Sequence, residues 1–92
     1  MLDNYEKSAA VLKALSHPIR LHIVAGLIAE PCNVSKITNC LNLPQSSVSS
    51  QLAILKAAGI IEGQRKGNEI CYTVSNARVR KLVTLLSEEE LS

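Results

Sequence analysis

Apolar residues recur along this 92-residue chain at two different spacings, and the change of spacing divides it into elements. Over residues 4–15, Tyr5, Ala9, Leu12 and Ser16 follow helical spacing with Val11 and Leu15 beside them, while Lys7 and Lys13 face outward. His17-Pro18 interrupts the pattern. Pro18 suits the first position of a second helix, which runs to about Ala29 and buries Ile19, Ile23, Val24 and Leu27. Glu30-Pro31 stops it. Asn33 is a good N-cap for a short third helix, Val34–Leu41, with Val34, Ile37 and Leu41 on one face. Asn42-Leu43-Pro44 then makes a tight connection to a fourth helix over residues 45–58, whose apolar face is Val48, Leu52 and Leu55. Gly59 stands where a left-handed residue ends a helix.

Beyond Gly59 the period becomes two. Residues 60–66 read as a strand, Gly67-Asn68 as a turn and Glu69–Val74 as the returning strand. Ile70, Tyr72 and Val74 point inward on this pattern, with Glu69, Cys71 and Thr73 outward. Ser75-Asn76 caps a last helix over residues 76–88, with Val79, Leu82, Val83 and Leu86 as its stripe. The expected fold is mainly α with a small β-hairpin: five helices and a two-stranded hairpin in one domain covering 1–92. So short a chain has a thin core, and a second copy packed on the first and last helices would supply the missing burial.

The polar face of the fourth helix is unusual. Gln45, Ser46, Ser47, Ser49, Ser50 and Gln51 form an uncharged hydrogen-bonding stripe, where surface helices normally carry Lys and Glu because serine is a poorer helix former. Two short helices joined by a tight turn, the second polar, make a helix-turn-helix, and the hairpin behind them makes it winged. Short side chains let a helix enter the DNA major groove closely, and Gln and Ser match base edges. Charge supports an anionic partner. The net charge is +2, but residues 31–81 hold seven Lys and Arg against two Glu, whereas 1–30 balance and 82–92 carry three Glu. Lys56 and the hairpin's Arg65-Lys66-Gly67-Asn68 are the expected contacts beyond the stripe. Aromatics are only 2% of the chain, so stacking platforms for single strands are nearly absent.

These segments resemble the ArsR/SmtB family of winged-helix repressors. The resemblance rests on Leu15-Ser16-His17-Pro18-Ile19-Arg20-Leu21, on residues 43–52 (Leu-Pro-Gln-Ser-Ser-Val-Ser-Ser-Gln-Leu), on residues 55–61 (Leu-Lys-Ala-Ala-Gly-Ile-Ile), and on Gly67 with Tyr72-Thr73-Val74. It implies a cytoplasmic homodimer held by the helices at 4–15 and 76–88, through Leu12, Val79, Leu82, Val83 and Leu86. It also implies binding to a double-stranded operator of two-fold symmetry, and repression until an inducer acts. Ser50-Gln51 replaces the Arg-His often found there, so base preference does not transfer.

The family's sensing sites are where the chain departs. The Cys-x-Cys pair at the third helix is reduced to Cys32, and residues 76–86 offer no histidine or acid for the family's zinc site, so no metal or other cofactor is expected. Three cysteines without secretory context fit free thiols. Cys32 and Cys40 lie too far apart along a helix to pair, Cys40 is expected in the core and Cys71 is expected to be incidental and replaceable. Cys32, near a helix N-terminus, is the candidate thiol sensor. No nucleotide loop, nucleophile–base motif or paired carboxylates mark an enzyme. No apolar run approaches a membrane span. The competing readings are a winged-helix protein-interaction module, which would carry acidic or apolar residues on the fourth helix, and a thiol-based redox sensor.

Overall fold

The computed structural model describes the backbone of residues 2–32 and 34–91, so the cap expected at Asn33 lies outside the described residues. The order is α1 (Leu2–Leu15), α2 (Pro18–Ala29), α3 (Val34–Leu41), α4 (Gln45–Ala57), β1 (Ile61–Lys66), β2 (Glu69–Val74) and α5 (Ala77–Leu91). This is a winged helix-turn-helix. No single helix among the described residues is long and apolar enough to cross a membrane.

Local chemistry sets the boundaries. His17 is extended, and its Nδ1 accepts from the Ile19 N–H at 3.2 Å ahead of Pro18. Asn76 Oδ1 accepts from the N–H groups of Arg78 and Val79 at 3.1 and 3.2 Å, which starts α5. Asn42 adopts φ 53° in the turn between α3 and α4, with its N–H on Thr38 O at 3.1 Å. Asparagine tolerates that left-handed conformation. At the far end of α4, Gly59 adopts φ 75°, while the Ile60 N–H reaches Leu55 O at 3.1 Å and the Gly59 N–H reaches Lys56 O at 3.0 Å. That pair of bonds is a Schellman turn. Ile60 then enters the hairpin without a linker, its carbonyl accepting from the Ser75 N–H at 3.1 Å, so the ladder extends one residue past β1 as predicted.

The hairpin is antiparallel with Ile61 opposite Val74 and Lys66 opposite Glu69. Gly67 has φ 64° and Asn68 is not left-handed, the pattern of a type II′ turn. Its inner end is seated in the core: Ile60, Ile61 and Val74 are buried with Leu27, Val48, Leu55, Val79 and Val83. Gly26 lets α2 and α3 pack closely, since a Cβ there would lie 3.0 Å from the Ile37 side chain. Cys32 and Cys71, 39 positions apart, are joined by a disulfide with Cα atoms 4.3 Å apart.

Two consequences for stability follow. Leu55, fully buried, should cost about 2–5 kcal/mol on replacement by Ala, against about 1 kcal/mol for the cap substitution Asn76→Ala. Opening the disulfide should lower stability by about 2–4 kcal/mol, because it releases a long closed loop in the unfolded chain. Urea unfolding at one protein concentration, with and without reductant, measures all three.

Candidate nucleic-acid interface

α4 presents two opposed faces. Val48, Leu52 and Leu55 are buried, while Gln45, Ser46, Ser49 and Ser50 are exposed and Ser47 is half-buried. Ser50 folds its hydroxyl back onto Ser46 O at 3.1 Å, which keeps that part of the face low. Pro44 precedes the helix and supplies no side-chain cap. The first turn of α4 is closed by backbone alone, with the Ser47 and Val48 N–H groups on Pro44 O at 3.0 and 3.3 Å. Lys56 is exposed at the other end, about 16 Å along the axis from Gln45 by helical rise.

Gln51 plays a different part from its serine neighbours. It is half-buried, and its Oε1 accepts from Arg20 Nη1 at 3.0 Å while Arg20 Nε donates to Ala14 O at 2.6 Å. Arg20 thus ties α4 to the end of α1 through α2. Nothing in the periodicity singles out Arg20; the only signal is a lone cation within an otherwise apolar stretch.

The hairpin tip carries Arg65, Lys66, Gly67 and Asn68, all exposed. Between the tip, α3 and α4 lies an open cleft of about 400 Å³, bordered by Ser35, Gln45, Ser49, Asn68 and Ile70 among others. Gln45 and Ser49 of the helix therefore share one concavity with Asn68 and Glu69 of the hairpin, and Arg65 and Lys66 lie just beyond its lining. Two other cations of the middle segment are engaged elsewhere. Lys36 bonds Glu30 at 3.0 Å, and that hydrogen bond, with the carboxylate's charge, raises its pKa. Arg80 donates to Val74 O at 3.2 Å.

Four expectations need correction. Cys71 does share the outward face of Glu69 and Thr73, yet it is only 7% exposed, because the α2–α3 connection lies along β2: the Cys32 N–H bonds Tyr72 O at 3.0 Å and the two sulfurs are joined. Cys32 and Cys71 are thus not free thiols. Ile70, expected inward, is 50% exposed because the tip extends past the core. Cys40 is exposed and free, since α3 buries only Ile37 fully and Cys40 lies off that line.

The expected α1–α5 surface is also redrawn. Val79 and Val83 are each 2% exposed, packed within the subunit and unable to face a second copy. Leu12 and Leu86 are exposed and Leu82 is half-buried; Tyr5 and Leu85, which lie outside the expected set, are exposed as well. A groove of about 330 Å³ between α1 and α5 is lined by Val11, Leu12, Val79 and Leu82 with Lys7 and Arg78 at its margin. Among the described residues no group of three or more His, Cys, Asp or Glu side chains could hold a metal ion.

A buried-edged helix with a short polar face, followed directly by a cation-tipped hairpin, defines a winged helix-turn-helix domain. Residues 17–63 match the family described as bacterial regulatory protein, ArsR family. An HTH-type transcriptional regulator of Methanocaldococcus jannaschii is 37% identical over 89 residues, covering 95% of this chain and 99% of that protein. The transcriptional repressor PagR of Bacillus anthracis is 37% identical over 83 residues, covering 89% of this chain and 83% of PagR. The crystal structure of PagR superposes with a TM-score of 0.83 at 36% identity, over 94% of this chain and 99% of that one. The homodimeric winged helix-turn-helix DNA-binding domain of a Mycobacterium bovis protein superposes with a TM-score of 0.84 at 27% identity, over 98% of this chain and 86% of that one. The chain belongs to the ArsR family of transcriptional regulators.

The Arg20 bridge makes a testable claim about positioning. Arg20→Ala should cost about 1.5–3 kcal/mol in urea unfolding, since it removes charge-assisted bonds to Ala14 and Gln51. Gln51→Ala should cost less, because the bond to Ala14 O survives.

Proposed function

We propose that this chain is a homodimeric repressor that reads a two-fold symmetric operator with α4 in the major groove and the hairpin on adjacent phosphate. One observation carries the reading: the exposed Gln45 and Ser49 of α4 line one cleft with Asn68 of the hairpin tip, close in sequence to the exposed Arg65 and Lys66, and helix and hairpin are seated on the same core. Serine and glutamine supply donors and acceptors at base edges without long side chains to hold the helix away. The tip cations neutralise phosphate and fix register without selecting sequence. The absence of acid from the α4 face argues against a protein-docking use.

Dimerisation is supported by the exposed Tyr5, Leu12, Leu85 and Leu86 on the two terminal helices, and by the homodimeric state of the M. bovis relative. Two recognition helices must lie about 34–36 Å apart to enter successive major grooves on one side of B-DNA. The chain has one such helix, so a second copy joined through α1 and α5 would supply the other.

Footprinting on the DNA upstream of the protein's own gene tests the reading; failure to protect any segment there or on neighbouring promoters overturns it. On an operator so defined, Gln45→Ala or Ser49→Ala should cost about 1–3 kcal/mol and little on random duplex. Arg65→Ala and Lys66→Ala should weaken both and reduce the salt slope by about one for each phosphate no longer neutralised. Leu12→Glu should give monomers in sedimentation with far weaker operator binding. Micromolar Zn(II) should leave the complex intact.

A further inference from the structure

We propose that Cys32 and Cys71 are a reversible thiol couple whose closure locks the wing to the entrance of α3, and that the locked form binds DNA more tightly than the open one. The DNA half of this proposal and the argument for reversibility rest on the reading above; the pairing of the two thiols does not.

The two cysteines are unequal. Cys32 is exposed and borders the cleft between α4 and the hairpin, so a small oxidant or thiol reaches its sulfur from solvent. Cys71 is buried on β2, with its Cα 4.3 Å from that of Cys32, inside the limit of about 7 Å for a disulfide. Cys32 is therefore the attacking thiol and Cys71 the resolving one. With a hydroperoxide as oxidant, the Cys32 thiolate attacks one peroxide oxygen: the S–O bond forms, the O–O bond breaks and Cys32 becomes a sulfenic acid. The other oxygen leaves as alkoxide or hydroxide, which takes up a proton to give alcohol or water. The Cys71 thiol then attacks the Cys32 sulfur. The S–S bond forms, the S–O bond breaks and water departs with the Cys71 proton. A low-molecular-weight thiolate reverses this by attacking the exposed Cys32 sulfur and expelling the Cys71 thiolate. A second thiolate then frees Cys32 and carries away the two-electron oxidation as a small disulfide.

Reversibility follows from where the protein works. A DNA-binding regulator shares the compartment of DNA, where thiol buffers open most disulfides and those that persist are commonly redox-sensing. The bond also sits where it matters mechanically. Among the described residues two ties hold the α2–α3 connection to β2: the disulfide and the bond from the Cys32 N–H to Tyr72 O at 3.0 Å. Cys32 has φ 71°, a left-handed conformation that a side-chain-bearing residue keeps only when its surroundings hold it. Reduction removes one tie and lets the connection relax, so the wing can hinge against α3 and α4. With the bond closed, Ile37, Val48 and Leu52 remain seated in the core and the hairpin keeps full register, so closure does not pull the two DNA-facing elements apart. Locking them removes freedom that binding would otherwise have to remove.

The test compares full-length protein treated with hydrogen peroxide or with dithiothreitol, alongside Cys32→Ser, Cys71→Ser and Cys40→Ser. Peptide mapping after peroxide should find one intramolecular link, Cys32 to Cys71, with Cys40 still open to alkylation. Dimedone should trap a sulfenic acid at Cys32 in Cys71→Ser and none at Cys71 in Cys32→Ser. Hydrogen exchange over residues 61–74 should be slower in the oxidised protein without any DNA present. Operator affinity should rise roughly five- to tenfold on oxidation in the unmutated protein and in Cys40→Ser, and stay unchanged in the other two variants. No link, a link through Cys40, or unchanged exchange in the wing overturns the couple or its mechanical role. Equal or weaker operator binding by the oxidised form overturns the coupling to DNA. If neither form binds any DNA, the repressor reading fails while mapping and exchange still decide the thiol pair.

Discussion

Everything this molecule presents outward depends on the burial of one edge of α4. Val48, Leu52 and Leu55 fix the rotation of the helix about its axis, and the same core takes Ile60, Ile61 and Val74 from the base of the hairpin. Because the Schellman turn at Gly59 passes the chain from one to the other in two residues, helix and wing share an anchor instead of being joined by a tether. Arg20 adds a polar brace from the opposite side, holding Gln51 near the end of α1. The exposed polar face is thus a by-product of well-defined packing beneath it.

Much of this was legible in the chain because its causes are local. Pro18 behind His17, Asn76 ahead of α5, Gly59 and Gly67 each mark a boundary through their own backbone preferences, and the structure places element ends within a few residues of them. What escaped depends on residues distant in sequence. Alternation put Cys71 on the correct face of β2 but could not show that the α2–α3 connection covers it. The α5 stripe could not be divided by periodicity into Val79 and Val83, which the subunit keeps for itself, and Leu86, which it leaves outside. Arg20 was visible as a cation in an apolar helix, yet its partners are 6 and 31 positions away.

The positive charge of the middle segment also divides once the fold is known. Lys36 and Arg80 are spent on contacts within the subunit, to Glu30 and to Val74 O. Arg65 and Lys66 at the tip stand clear of the core, on the end of a hairpin whose opposite end is fully buried. Lys56 on α4 and Arg78 and Lys81 on α5 are exposed as well, so the positive charge of the segment is spread over three elements.

The residues exposed along α4 have almost no role in holding the domain together. Ser46, Ser49 and Ala53 are exposed, and the helix is seated through Val48, Leu52 and Leu55. With α4 as the proposed reading helix, recognition and folding are separable traits in this chain: gene duplication followed by a handful of changes on one helix face redirects a copy to new promoters while the core beneath stays as it was. A lineage carrying this scaffold can diversify its targets faster than its architecture.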